Sequence, residues 1–424
     1  MAAVVQRSAR SPAPRGQRGA VAVVVALSAL VLFGFAGIAI DVGRLFINRT
    51  ELQTAADACA LAAAAELTCD ATTGTCPGSF LLNAQAAGIY AAGLNRRDFQ
   101  VNPVAIAAAD VKFYTALAPN ANYLSIAGGA APNSRYVMCT ASAGGIAPWF
   151  MGVFGTGAQT VTSAGVATRA PAQSFCNAAP LGICKKAVGT YAVGEWIKSS
   201  FKANDDFDDT KINNFKWVEF TNASDIKAQL AGSQTVCGIR IGDTINTPGN
   251  KTGVKLAYNT RFGLYKGEFK DAADAPPDHT GYAYPNAAPG SPVISIPAAA
   301  PFLGNAYSDY RIRQGQSKPF VSNEYDSAAA GGKESGSVVT PSPYQTLGSD
   351  RRLVTVPIID CAGGKLVPIL SMACVLMLNP MANGKGDFYL EYRGDATALG
   401  SPCRVGGLAG GATSTGPQAP VLVQ

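Results

Sequence analysis

The chain has 424 residues, of which 48% are hydrophobic and 15% charged, with a formal net charge of +6. That is enough apolar material for two compact domains, and so modest a charge does not indicate a nucleic-acid footprint. A single histidine leaves little for acid–base catalysis or zinc ligation.

Four arginines, Arg7, Arg10, Arg15 and Arg18, precede a stretch from Ala20 to Ile40 that carries no charge. As a helix this stretch spans roughly 31 Å, which matches a bilayer's hydrocarbon core. After it, Asp41, Arg44, Arg49 and Glu51 mix both signs, so the positive-inside rule places residues 1–19 in the cytoplasm and exports the rest. A secretory signal would have a shorter apolar region and a small-x-small cleavage site; this one runs directly into DVGRLFINRTELQTAADACALAAAAEL. The composition predicts one helix from Ala20 to Leu67, roughly 70 Å long. Leu45, Leu52 and Cys59 recur along it with Ala56 and Ala63 beside them, a narrow seam of small side chains. The seam fits the protein's own globular part or another subunit; periodicity does not name the partner.

Cys69 and Cys76 frame TCDATTGTCP, and Cys176 and Cys184 frame CNAAPLGIC. In an oxidising compartment each pair is expected to form a local disulfide, with Cys59 a buried, unbonded small residue. A second helix is predicted over Ser79–Leu94, with strands at Ala109–Leu117 and Tyr136–Ser142. The apolar run Trp149, Phe150, Met151, Val153 and Phe154 is expected in the core rather than at a partner or membrane contact. Ala170-Pro171-Ala172 reads as a joint. Beyond it, strands are expected at Lys216–Phe220, Val236–Ile241, Arg261–Tyr265, Leu353–Ile359, Val375–Leu378 and Phe388–Tyr392. The fold class is therefore α+β: a transmembrane helix, 20–40, continuing into a helix packed on antiparallel strands, 41–170, then a mainly β domain, 171–405. An Ala/Pro/Gly/Ser-rich extended insertion occupies 271–349, and 406–424 reads as a mobile tail that could end in a strand at Val421–Val423.

Candidate chemistry is sparse. His279 lies in the loop-like APPDHTG, without a Gly-x-Ser-x-Gly elbow, so a Ser-His-Asp site is not indicated. In TPGNKTG, Asn250 separates Gly249 from Lys251, which fits a turn rather than a phosphate loop. Asp205, Asp206, Asp208 and Asp209 lack the terminal Glu of a twelve-residue calcium loop and read as a solvated acidic loop. No enzyme, cofactor, metal or small-molecule substrate is specified.

The segment from Gly19 to Leu67 resembles the N-terminal module of TadE/TadG-like proteins of the bacterial tight-adherence (Flp) pilus system. The matching parts are Arg18-Gly19, the apolar span, Asp41-x-Gly43-Arg44, and the helix carrying Leu52, Gln53, Ala55, Asp57, Ala60, Leu61, Ala62 and Ala63. A weaker resemblance continues through Tyr136 to Arg169. It implies a non-enzymatic, single-pass inner-membrane protein with its bulk periplasmic or surface-exposed, whose partners are other pilus-assembly or pilin-like proteins. Association would run through Leu45, Leu52, Ala56 and Ala63, and within lipid through Gly34, Ala36 and Gly37. Prepilin processing would cut between Gly19 and Ala20, but the fifth residue after Gly19 is Val24 rather than Glu, so an uncleaved anchor is expected. The Asp-x-Ser-x-Ser site of some TadG proteins does not occur. The competing reading is a membrane-tethered adhesin whose β domain binds a surface ligand.

Overall fold

The computed structural model describes residues 18–68, 80–117, 123–124, 134–201, 214–222, 225–248, 253–286, 293–329, 332, 334, 336–382, 386–410 and 414–423. Helix α1, Arg18–Ala65, runs 48 residues, about 70 Å at the α-helical rise. It is long and apolar enough to cross a membrane, with a mean hydropathy of 2.7 over its most apolar window. Leu32, Phe33 and Phe35 stand exposed on that half, whereas Leu52, Ala55, Ala56, Cys59, Ala60, Ala63 and Ala64 on the other half are fully buried. Helix α2, Phe80–Gly93, packs back on it. A Cβ at Gly88 would lie 3.0 Å from the Cys59 carbonyl oxygen and 3.1 Å from Ala63 Cβ, so the missing side chain sets how closely the helices approach.

An antiparallel sheet lies against α1. Its main strands are β1, Val111–Tyr114; β2, Tyr136–Ile146; and β3, Gln159–Cys176. Along β2, Val137, Cys139, Ala141 and Ala143 are buried, the period-two pattern of a strand with one face on the core. Strand β3 crosses the expected joint at Ala170–Ala172 unbroken, as one 18-residue strand. Nor is the C-terminal segment a free tail: Gly406–Ala409 and Gln418–Leu422 are strands that both pair antiparallel with β3, placing Arg169 opposite Pro420 and Phe175 opposite Gly407. The proximal sheet is therefore closed by the far end of the chain.

The distal sheet is built from β4, Leu181–Cys184; β5, Trp196–Phe201; β6, Phe215–Trp217; β7, Leu353–Ile359; β8, Ser371–Met377; and β9, Gly386–Asp395. Their order is β5-β9-β8-β7-β4-β6, with β4 parallel to β7 and the other pairs antiparallel. Both faces are covered, which is why β7 reads as an almost continuous apolar run. One face packs Val354, Val356, Phe388 and Leu390 with Trp217, Tyr258 and Phe262. The other packs Leu353, Ile359 and Leu376 with Tyr282, Tyr284 and Tyr310. Those three tyrosines come from the region read as an extended insertion; it is instead a cover for the sheet and contains a helix, Ala306–Gly315.

Two expected strands change form. Within Val236–Ile241 the only pairing is the Phe175↔Ile239 bridge. In Arg261–Tyr265 only Leu264–Tyr265 is extended, because Arg261 is the C-cap of a helix over Val254–Thr260.

The disulfides join distant segments: Cys59–Cys139, Cys176–Cys237, Cys184–Cys361 and Cys374–Cys403. Cys176 and Cys184 are both bonded, but not to each other. The β4–β7 pairing puts Cys184 beside Ile359, two residues from Cys361, while the bridge at Ile239 brings Cys237 to the end of β3. Cys59 is likewise bonded, tying α1 to β2. Cys69 and Cys76 lie outside the described residues, as do Asp205, Asp206, Asp208, Asp209, Gly249, Asn250 and Lys251.

Candidate functional site

The seam on α1 is occupied by the protein's own sheet. Leu52, Ala56 and Ala63 are completely buried, and Leu45 is half-buried against the same core. The strand facing them is equally small: a Cβ at Gly165 would come within 3.0 Å of the Ala56 backbone and strike the Asp57 carboxylate. Gln53 Nε2 donates to Asp57 Oδ1 at 2.8 Å and to the Ala164 carbonyl at 3.0 Å, and Ser163 Oγ donates to the Arg49 carbonyl at 3.1 Å. Small residues on both sides let helix and strand backbones approach closely. Leu52, Ala56 and Ala63 therefore present no surface to a neighbouring helix, which corrects the association expected of them, whereas Leu45 keeps part of its surface open. Gly19 and Ala20 fall in the first turn of α1.

Where α1 leaves its apolar half, a collar of polar contacts holds it to the sheet. Asp41 is buried, and its carboxylate accepts backbone N–H bonds from Trp149 at 2.8 Å, Phe150 at 2.9 Å and Met151 at 2.6 Å. One turn on, Arg44 grips Asp98 through two 2.8 Å bonds, donates to the Ala147 carbonyl at 2.9 Å, and stacks 4.5 Å over the Trp149 ring. A paired guanidinium of this kind is a rigid, directional clamp. Asn48 Nδ2 adds a 3.3 Å bond to Asp98. The hydrogen bond from Arg44 holds the Asp98 carboxyl below its ordinary 3.8, against a partial burial that pushes it up. Asp98, Phe99 and Gln100 all have positive φ, 56°, 62° and 64°. Three successive non-glycine residues in the left-handed region are costly, and each is held: Asp98 by Arg44, Phe99 by stacking on Trp149 with centroids 6.1 Å apart, Gln100 by a 2.9 Å bond to Glu51. A cavity of about 140 Å³ lies behind the collar, between Val42, Leu45, Ile146 and Pro148.

In the aromatic run, Trp149, Phe150 and Val153 are not in the core. Trp149 is 56% exposed, Phe150 47% and Val153 87%. The segment ends in a short 3-10 turn, Met151–Phe154, beside α1; Asp41 captures the backbone of Trp149, Phe150 and Met151, which leaves the side chains of Trp149, Phe150 and Val153 outside.

The far end of α1 is tied to the rest of the chain by Arg169. This buried guanidinium donates to the carbonyls of Leu67, Ser401, Cys403 and Gln418. Burial, and then the nearby Arg404, push it down to about 10, with Glu66 opposing. Arg404 itself bridges Glu66 and Asp350.

A second cavity, of about 340 Å³, opens between Gln229, Arg261, Asp350, Arg351 and Thr355. The arginines are committed to backbone carbonyls, but Gln229 Nε2 and Oε1 and Thr355 Oγ1 have no hydrogen-bond partner among the described residues. His279, next to Asp278 of the Asp278↔Ser349 bridge, is half-buried.

Among the described residues, one helix of membrane-spanning length is clamped to a disulfide-linked α+β head, the architecture of a membrane-anchored protein. Residues 19–66 match the family model for Flp pilus-assembly TadE/G-like proteins. Neither a curated protein nor a solved structure matches the chain.

The clamp was only half visible in the sequence. Asp41-x-Gly43-Arg44 stood out as a motif, but Asp98 lies 54 residues from Arg44, and no local pattern announces it.

Proposed function

We propose that the chain is a non-enzymatic, single-pass component of tight-adherence (Flp) pilus assembly. Residues 20–40 hold it in the bacterial inner membrane, with residues 1–19 cytoplasmic and the two sheets exported. The observation that carries this reading is the coincidence of the family match, 19–66, with the bounds of one uninterrupted helix, Arg18–Ala65. Four long-range disulfides among the described residues suit an oxidising compartment. With the seam covered, association with other pilus components falls to surfaces still open: the lipid-side small residues Gly34 and Ala36 and the exposed flank at Phe46, 61% exposed.

Deleting the chain should abolish surface filaments, and the intact chain should restore them; normal filaments without it would overturn the reading. The mass and N-terminal sequence of the protein from membranes and from sheared filaments then fix its role. An intact Met1 end confined to membranes identifies an anchored assembly factor, and a chain starting at Ala20 in filaments identifies a processed minor pilin.

The second reading, a tethered adhesin, is favoured by the distal cavity and its unpartnered Gln229 and Thr355 atoms. Cell or polysaccharide binding by the exported head that is lost in Gln229→Ala would establish it.

A further inference from the structure

The outward-facing aromatic turn next to α1 lies at a definite depth. Phe150 packs against Gly37, where an added Cβ would sit 2.8 Å from Phe150 Cβ. Gly37 is inside the uncharged span, about 6 Å below Asp41 along the helix axis. Trp149, Phe150 and Val153 are therefore displayed beside the lipid-facing surface of the span and continuous with it. From Ala147 to Gly157 the chain carries no charged residue, so nothing in this segment opposes entry into an apolar phase. The nearest charges are already matched: Asp41 by three backbone N–H groups, Arg44 and Asp98 by each other. Arg44 over Trp149 is the pairing expected at a headgroup boundary, where tryptophan is enriched and a long cationic side chain reaches toward water.

We propose that the turn around residues 149–153 enters the exported-side leaflet of the bilayer, with Trp149, Phe150 and Val153 among the upper acyl chains. The head is thereby seated on the membrane surface at a second point, in addition to α1. This rests on the reading that α1 spans the membrane. The seat gives the Asp41 and Arg44 clamp a purpose: it transmits a fixed orientation from bilayer to head, and the left-handed Asp98–Gln100 backbone sustains the clamp.

The chain's tryptophan content makes the test direct. Of its three tryptophans, Trp196 and Trp217 are 4% and 1% exposed within the distal sheet, so lipid can reach Trp149 alone. The full chain would be reconstituted in phosphatidylcholine vesicles carrying bromine near the carbonyl end of the acyl chains. The expected result is blue-shifted emission that the bromolipid quenches, with the quenchable part lost in Trp149→Phe. Val153→Asp, at a position that contributes nothing to the core, should reduce the quenching while leaving the distal tryptophan emission unchanged. Alkaline carbonate extraction of the same vesicles separates the two ideas. Protein retained in the vesicles with Trp149 unquenched would overturn the membrane seat alone; protein released would overturn the spanning reading and the seat with it.

Discussion

The core under α1 is rich in small side chains, Ala55, Ala56, Ala60, Ala63 and Ala64 with Ala141, Ala143 and Ala167, beside larger ones such as Leu52 and Phe113, whereas the distal sheet buries Trp217, Tyr258, Phe262, Phe388 and the whole of Arg352. The first arrangement gains stability from closeness, because alanine and glycine let backbones approach and complete many weak contacts. The second gains it from apolar area: Phe388 alone touches the rings of Phe201, Phe215, Trp217 and Tyr258. A core made of small residues has no spare volume and is sensitive to enlargement; a core made of large ones is sensitive to truncation. The rod that bears on the membrane is thus held by the arrangement that tolerates least displacement.

Truncation in the distal sheet should produce the largest effect. Arg352 is fully buried and donates to the carbonyls of Thr280, Tyr282, Met377 and Leu378 while lying 4.1 Å over the Phe262 ring. Arg352→Ala strips these carbonyls of their guanidinium donor, although that of Leu378 keeps its bond from the Tyr284 N–H, and opens a cavity, a loss of about 4 kcal/mol. Arg352→Lys should recover little of it, since one ammonium cannot replace a planar fork. Urea denaturation of the full chain in detergent, followed by the emission of Trp196 and Trp217, reads both. A variant as stable as the parent would show that the distal sheet does not depend on this residue.

Enlargement under α1 comes next. Gly165→Val places branched carbons against the Ala56 backbone and the Asp57 carboxylate, and overpacking of this kind costs about 1–3 kcal/mol. Because the clash lies between α1 and β3, the Cys59–Cys139 bridge should become more accessible to a mild reductant, while Cys184–Cys361 in the distal sheet does not. Equal reactivity of the two bridges would remove the distinction between the regions.

The same contrast governs what could be read from the residues alone. The ends of α1 and α2 lie within two residues of expectation, and Leu353–Ile359 has the expected limits, because each is fixed by local composition: long runs of helix formers in the first two, a short β-branched apolar run in the third. The disulfides were misread because Cys184 and Cys361 are 177 residues apart, and only the parallel pairing of β4 with β7 joins them. The C-terminal strands escaped for the same reason: Gly406–Ala409 has little strand propensity of its own and is ordered by β3. Trp149 and Phe150 were assigned to the core over a partner or membrane contact because large aromatics normally supply core area, and no local pattern shows that Asp41 captures their backbone and leaves the rings outside. The seam was visible, yet its partner was not, since Gly165 looks like any glycine until α1 lies on it.

The smallest effect belongs to the collar, and it should appear as pH dependence. Asp98 is held below its ordinary carboxyl value of 3.8 by Arg44, so the folded state binds its proton less readily than the unfolded chain does. The stabilisation is complete above the unfolded value and is lost as pH falls through the depressed folded one. As pH falls below about 4, then, the proximal unit should lose stability more steeply in the parent than in Asp98→Asn, which cannot ionise and starts from a lower plateau. Hydrogen exchange of the Trp149, Phe150 and Met151 amides would report this locally, because these N–H groups are held by Asp41 beside the Arg44 pair. Exchange that accelerates equally in both proteins would assign the acid limb to Asp41 itself and leave Asp98 a merely steric role in the collar.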